Sequence, residues 1–248
     1  MLYIPRAWQK TLADLGLDSC QGWLDHQLEL VDEPNHGHGG YSEVGYIGLD
    51  RESNSAGLYV KRQRNYSMRT WRHPLKGVPS FRQEFDNIRR LDSYGIKTIE
   101  VVCYAETKTR RGREAVLVTE ALADYVSMDR LNEGEYGEAD YSALVEQIAT
   151  AVLALHATGY RHPCLYPKHI FIGCGEVRFI DLETVRPHHG FSRLWRKDLE
   201  VLLRRSSQRF RQHRRLFVET YLGAGATAEE VDKLLALLDR RAAKKAKR

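Results

Sequence analysis

A change of hydrophobic period part-way along the chain constrains its fold more than any other feature. The first half carries short β-prone runs separated by turn-rich segments, whereas the second repeats apolar residues at helical spacing. "GYSEVGYIGL" and "GLYVKRQ" read as two strands joined by "DRESNSAG". "SFRQEFDNIRRLDSYG" predicts a helix: Phe81, Phe85, Ile88 and Leu91 share a face, Ser80 and Gln83 have the spacing of a capping box, and Gly95 follows the end. "VVCYAETKTRRGREAVLVTE" predicts a hairpin turning near Gly112, while "NYSMRTWRHPLKGVP", residues 65–79, matches no regular element. Further on, "YSALVEQIATAVLALHATG" aligns Leu144, Ile148, Val152 and Leu155 on one helix face, with Gly159 as the stop. "IFIGCGEVRFID" reads as a tight hairpin around Gly173 and Gly175. Helical patterns follow around 196–221 and 228–243, the second opened by a capping box of Thr227 and Glu230. The expectation is an α+β chain of two lobes sharing a cleft, residues 1–120 being β-rich with one long helix and 121–248 mainly helical. The 248 residues, 42% of them hydrophobic, suffice to build it.

Composition narrows the setting. Mean hydropathy is −0.50, and no apolar run approaches the roughly 20 residues that cross a bilayer. The start "MLYIPRAWQK" lacks the pattern of a signal peptide, so a cytoplasmic location is expected. Cys20, Cys103, Cys164 and Cys174 are too sparse for a disulfide framework and are read as thiols. Charge is uneven. Residues 186–248 hold 17 Lys/Arg against seven Asp/Glu, a net of +10, and the whole chain carries +5, so residues 1–185 sum to −5. A basic quarter of this kind suits an anionic membrane surface, a phosphorylated sugar or nucleic acid, and equally an ordinary solvated helix face.

Four features with chemical potential occur in order. "GHGGYSEV" (Gly37, Gly39 and Gly40, ending at Val44) fits a glycine loop whose backbone can approach phosphates, although alone it is an ordinary glycine turn. Lys61 lies on the next extended run, on the face opposite Val60. Glu84 borders the apolar stripe of the capped helix, from which it could turn toward Lys61 and hold it over phosphates. Last comes "GYRHPCLYPKHIFI" followed by "VRFIDLE", where an extended path would put Asp181 and Glu183 on one side and where a carboxylate can hold Mg²⁺.

In this order and at these separations the four features resemble the protein kinase-like fold over about residues 35–200. More narrowly, "VKRQ", "TWRHPLKGVPSFRQEF", "LYPKHIF" and "FIDLE" look like the InaA branch of the lipopolysaccharide kinase family. The resemblance implies ATP under Gly37, Gly39 and Gly40, a Lys61–Glu84 pair at its phosphates, a hinge at "LVTEAL" (hence Glu120) beside the adenine, and Mg²⁺ on Asp181. Asp198 in "RKDLEVLL" matches a carboxylate that supports the catalytic loop, and the implied acceptor is a sugar hydroxyl of lipopolysaccharide core or a related glycolipid.

The loop departs from the pattern H-R-D-L-x-x-x-N. Cys164 stands where the proton-accepting aspartate is expected, His169 replaces the metal-binding asparagine, and D-F-G becomes Asp181-Leu182-Glu183. Cys164, His169 and Glu183 are the alternative bases, and Lys168 could neutralise charge on a transferred phosphoryl group. His169 is a poor Mg²⁺ ligand, because imidazole prefers softer ions. Three rival readings follow. His162, Cys164, His169 and Cys174 lack the paired spacing of a zinc loop. A pseudokinase that binds nucleotide and regulates a partner fits the altered loop, though not the retained Lys61, Glu84 and Asp181. The basic quarter matches no nucleic-acid motif.

Overall fold

The computed structural model of the chain describes residues 1–37, 40–48, 57–70, 73–110, 112–188 and 193–246, with the side chains of 68–70 and 73–76 excepted. Two compact units emerge: Met1–Arg89 with Ile99–Ala123, and Arg90–Thr98 with Asp124–Arg248.

In chain order the first unit contains β1 (Leu2–Tyr3), α1 (Arg6–Asp14), α2 (Cys20–Asp25), β2 (Glu29–Leu30), β3 (Asn35–Gly37), β4 (Gly40–Ile47), β5 (Leu58–Arg64), β6 (Ser67–Thr70), β7 (His73–Pro79), α3 (Ser80–Ser93), β8 (Val101–Thr109) and β9 (Gly112–Glu120). The main sheet runs β1-β8-β9-β5-β4-β2, with β3 also on β4, while β6 and β7 form a separate ladder. Both expected hairpins are present: β4 and β5 pair from Tyr41↔Arg64 to Ile47↔Leu58, and β8 and β9 close at Thr109↔Gly112.

Strand alternation sorts β5 into two faces. Leu58 and Val60 are buried with Leu12, Trp23, Val102, Cys103, Val116 and Val118 under α1 and α2. Arg62 shares that face and reaches the carbonyls ending α2, its Nη1 donating to Trp23 (3.2 Å), Leu24 (3.0 Å) and His26 (2.8 Å). Lys61 and Gln63 take the opposite face, which α3 covers, with Phe85 stacked on Tyr104 at 4.5 Å between ring centroids.

The α3 N-terminus differs from expectation. Gln83 donates to Asn87 instead of closing a capping box (3.2 Å). Gln63 does the capping from β5: its Oε1 accepts from the Phe81 N–H and the Ser80 hydroxyl, both at 2.9 Å, and its Nε2 donates to the Tyr66 carbonyl. A strand side chain therefore satisfies donors that a helix start otherwise leaves orphaned.

The second unit contains β10 (Val126–Ser127), α4 (Glu138–Ala157), β11 (Tyr160–Arg161), β12 (Ile170–Gly173), β13 (Glu176–Phe179), β14 (Arg186–Pro187), α5 (Trp195–Arg205), α6 (Gln208–Gln212), α7 (Arg214–Leu222) and α8 (Ala228–Ala246). The apolar face of α4 is buried at Leu144, Ile148, Val152 and Leu155, and Gly159 follows with φ +81°. β12 and β13 form the expected hairpin, but its turn residues are Cys174 and Gly175, at φ 49° and 72°. Positive φ at both loop positions matches the twist of a two-residue hairpin. The pattern expected over 196–221 is three helices, because Ser207 breaks it and caps α6, its hydroxyl accepting from the Phe210 N–H at 3.0 Å. The capping box before α8 forms: Glu230 N–H donates to Thr227 Oγ1 (3.2 Å) and Thr227 N–H to Glu230 Oε2 (2.9 Å). Among the described residues no helix is long and apolar enough to cross a membrane.

Gln63→Leu leaves the Phe81 N–H and Ser80 hydroxyl without their partner in a buried setting, which is expected to cost about 1–3 kcal/mol. Urea unfolding checks the cost, and hydrogen exchange should accelerate first in the opening turn of α3. Wild-type stability and exchange in the variant would contradict the capping role.

Candidate active site

In the first unit β5 and α3 meet at two points one repeat apart. Two residues along the strand separate Lys61 from Gln63, and one helical turn separates Ser80 from Glu84, so capping at Gln63 sets the register of the second contact. There Lys61 Nζ donates to both Glu84 oxygens, at 2.7 and 2.9 Å. Glu84 is 1% exposed and the Lys61 side chain 20%. The carboxylate is thus fixed, and the lysine side chain held against it stays partly exposed. The contact is the one that the sequence allowed between these two residues.

The glycine hairpin lies on the same sheet. Gly37 and Gly40 face each other across β3 and β4, and Gly39 lies outside the described residues. A Cβ on Gly40 would strike the backbone of Arg64, Asn65 and Tyr66, so glycine there has a packing reason of its own. Val44 pairs with Lys61 in the β4–β5 ladder. Glu120 ends β9 with its Oε1 accepting from Trp8 Nε1 at 3.1 Å, so α1 holds its side chain.

In the second unit the stretch from Arg161 to Asp181 is fixed mainly by histidine bonds to backbone. His162 is fully buried, and its Nε2 donates to the Ile180 carbonyl at 3.0 Å. Burial lowers its pKa to about 4, so the ring is neutral at pH 7 and its Nδ1 is a buried acceptor without a partner among the described residues. His169 stacks on His162 (6.1 Å, 10°). Its Nδ1 lies 2.8 Å from the Cys164 carbonyl. A carbonyl only accepts, so that nitrogen carries the proton. The other nitrogen, Nε2, sits 3.2 Å from Asp181 Oδ2. Nδ1 is therefore committed to the loop backbone, and Nε2 pairs with Asp181 when the ring is protonated.

Asp181 is in the left-handed region (φ 59°, ψ 53°), and Leu182–Thr184 form a 3₁₀ turn. The extended path expected through Asp181 and Glu183 is absent, so strand alternation does not place their carboxylates together. Cys164 is half-buried near Tyr166, and the Arg205 guanidinium lies 4.3 Å from the Tyr166 ring centroid. Burial raises the Tyr166 pKa, with Cys164 adding to the effect. Lys168 is exposed within the turn Pro167–His169.

Behind this loop Asp198 is wholly buried on α5, with Arg161 Nη2 2.6 Å from its Oδ1. His156 approaches the other oxygen at 3.4 Å in poor alignment, and its Nδ1 is 2.9 Å from the Tyr221 hydroxyl. Burial lowers the His156 pKa and raises that of Tyr221, so the phenol donates to the imidazole. Sequence reasoning missed Gln63, Arg161, His156 and Tyr166. Arg161 and Tyr166 lie within the quoted loop, yet only packing shows that one is buried against Asp198 and that the other lies under the Arg205 guanidinium.

A divalent ion fits Asp181 in one way. Among the described residues no three His, Cys, Asp or Glu side chains converge on a common point. Asp181, with its side chain 36% exposed and His169 beside it, suits a hard ion that takes most of its ligands from phosphate and water. A nucleotide's phosphates fit the chemistry of the other unit, where the partly exposed Lys61 side chain is backed by a buried carboxylate.

A β-sheet unit with a lysine–glutamate pair, and a helical unit with a loop and a carboxylate strand end, define a kinase-type protein. Residues 21–221 match the lipopolysaccharide kinase (Kdo/WaaP) family, and the chain belongs to it. Protein InaA of Escherichia coli (strain K12) is 28% identical over 176 residues, 68% of this chain and 79% of InaA. Lipopolysaccharide core heptose(I) kinase WaaP of Pseudomonas aeruginosa is also 28% identical over 176 residues, covering 62% of this chain and 64% of that kinase. The solved structure of WaaP in complex with acyl carrier protein superposes with a TM-score of 0.67 at 23% identity over 98% of each chain, which establishes the kinase-like α+β fold.

The buried histidine sets a pH dependence. An unfolded chain protonates His162 below its ordinary value of 6.5, whereas the folded chain resists until about 4. Its contribution to stability is present above the ordinary value and is lost as pH falls through that window. Between about pH 7 and about pH 4.5 wild type should lose about 2–3 kcal/mol more than His162→Gln, which keeps a donor for Ile180 but does not titrate. Urea unfolding at both pH values checks this; equal losses would contradict it.

Proposed function

We propose that the chain is an ATP- and Mg²⁺-dependent phosphotransferase acting on a sugar hydroxyl of lipopolysaccharide core or a related glycolipid. The observation that carries this reading is the Lys61–Glu84 pair at 2.7 Å, which holds a partly exposed lysine side chain against a buried carboxylate. Bound ATP would supply the phosphoryl group, and Mg²⁺ would neutralise its oxygens. Family membership and a sugar-kinase relative support the reaction class, and dependence on ATP accords with a cytoplasmic site of action.

The two expected lobes receive separate tasks. In residues 1–120 the backbone at Gly37, Gly39 and Gly40, with Val44 beside it, covers the nucleotide. Lys61 binds its phosphates, Glu84 orients Lys61, and the chain at Glu120 borders the base. In residues 121–248 Asp181 holds the metal ion, with His169 beside it as a positioning group. Lys168, exposed on its turn, meets developing negative charge. Because Nδ1 of His169 is committed to the loop backbone and Nε2 lies beside Asp181, it is a weak candidate for the base. Cys164 and Glu183 remain, and the half-exposed Cys164 occupies the position of the family aspartate.

A positioned base is worth about 10²–10⁴ in rate, and phosphoryl transfer draws most of its acceleration from positioning and charge neutralisation. Turnover should therefore be slow but real. The alternative is a nucleotide-binding regulatory scaffold, favoured by the single observation that a thiol, Cys164, stands where the family pattern has a carboxylate.

Calorimetry with ATP, with and without Mg²⁺, tests the reading on wild type and Asp181→Asn. Wild type should bind more tightly with Mg²⁺, and the variant should lose that gain. No ATP binding under either condition would sink the kinase reading. Cys164→Ala and Glu183→Gln then separate the bases: the variant whose turnover falls by about 10² or more identifies the proton acceptor.

A further inference from the structure

The sequence presents its C-terminal quarter as one undivided basic region, but the structure splits it into two. Most cations between 204 and 215 are neutralised by nearby acids. Arg204 meets Glu200 at 2.6 Å, Arg209 meets Glu138 at 3.3 Å, Arg214 meets Asp239 at 2.7 Å, and Arg215 meets Asp232 and Glu219 at 2.7 and 2.9 Å. The other group is gathered where the start of α5 lies beside the end of α8. Lys197, Arg241, Lys244 and Lys245 line one groove of about 270 Å³. Its one acidic lining residue, Glu200, is bonded to Arg204 and lies 3.9 Å from Lys245. Among the described residues Lys197, Arg241 and Lys244 have no ion pair.

Helix stability explains only part of this cluster. Lys244 and Lys245 sit in the last turn of α8, where cations suit the helix dipole. Arg196 and Lys197 occupy the first turn of α5, the end at which cations are disfavoured. Arg196 has a buried Nε without a partner among the described residues. Burial, Arg193 and Arg241 together hold its pKa below the usual arginine range. This is uncompensated positive charge at a position that folding alone does not favour. Apolar groups sit among the cations: Leu194 is 36% exposed, and Leu237 lines an adjoining groove with Arg240, Arg241 and Lys244.

We infer that the start of α5 and the end of α8 form a docking surface for an anionic lipid bilayer. Interspersed leucines and extended cations are what an interfacial helix presents to headgroups and the acyl boundary. Among the described residues the groove itself is lined by no aromatic side chain on which a base could stack. The inference goes beyond the kinase reading and does not need it, since the surface can bind lipid whether or not phosphate is transferred.

Cosedimentation with phosphatidylcholine vesicles, with and without phosphatidylglycerol, tests it on the full chain. Wild type should bind the anionic vesicles, with weakening as salt rises, and leave the neutral ones. A Lys197→Ala, Arg241→Ala, Lys244→Ala triple variant should bind roughly 100-fold more weakly, each cation being worth roughly five-fold near an anionic surface. An Arg214→Ala, Arg215→Ala double variant removes the same kind of charge from paired positions and should bind like wild type. Equal wild-type binding to both vesicle types, no binding to either, or a triple variant no weaker than the double would overturn the inference. So would tighter wild-type binding to a DNA duplex than to anionic vesicles at the same salt. Lys244→Glu alone, at an exposed position, gives a second reading that does not depend on the triple variant folding.

Discussion

The ion pair between Lys61 and Glu84 sets the terms for the first unit. A carboxylate with 1% exposure is costly to bury unless a cation is held against it. Removing Lys61 would leave that charge uncompensated, at about 3–5 kcal/mol. The surrounding structure is arranged to prevent this. Strand alternation turns Lys61 and Gln63 to one face and Val60 and Arg62 to the other. Gln63 pins the start of α3, and one turn later Glu84 arrives at the ammonium. Arg62, on the reverse face, ties α2 to the same strand. One strand thus fastens helices to both sides of the sheet, and its lysine is the group left partly open.

The second unit solves a similar problem with a different charge. Asp198 is buried on α5 and faces Arg161, the residue before the loop that carries His162, Cys164 and His169. His162 then bonds the end of the β13 strand through Ile180, and His169 bonds the loop's own backbone at Cys164. The histidines of this stretch hold backbone carbonyls, a use that the zinc reading of the sequence did not consider. The bond to position 164 is made to its backbone carbonyl, so it does not require a carboxylate side chain there.

Much of this was legible beforehand, for identifiable reasons. Period-2 and period-3.6 patterns marked β4, β5, α3, β8, β9, α4 and α8, because each buries one face. α1 and α2 escaped notice: among the described residues α1 buries only Leu12, and α2 is six residues long although Ser19 caps it. Within the stretch left unassigned, β6 and β7 pair in a ladder whose register shifts between Met68 and Thr70, so regular alternation could not reveal it. Lys61, Glu84 and Asp181 were visible as residue types in a recognisable order. Gln63 was not, because a strand glutamine that caps a distant helix has no local signature, and the Ser80–Gln83 spacing offered a plausible but wrong alternative.

The central claim is that a loop with cysteine in place of aspartate still transfers phosphate. The direct measurement is incorporation of label from ATP carrying a radioactive terminal phosphate into lipopolysaccharide core stripped of its phosphates, in the presence of Mg²⁺. The account predicts slow, saturable labelling by wild type and none by Asp181→Asn. Wild-type protein that binds ATP yet leaves the acceptor unlabelled over prolonged incubation would contradict it and identify the chain as a nucleotide-binding scaffold.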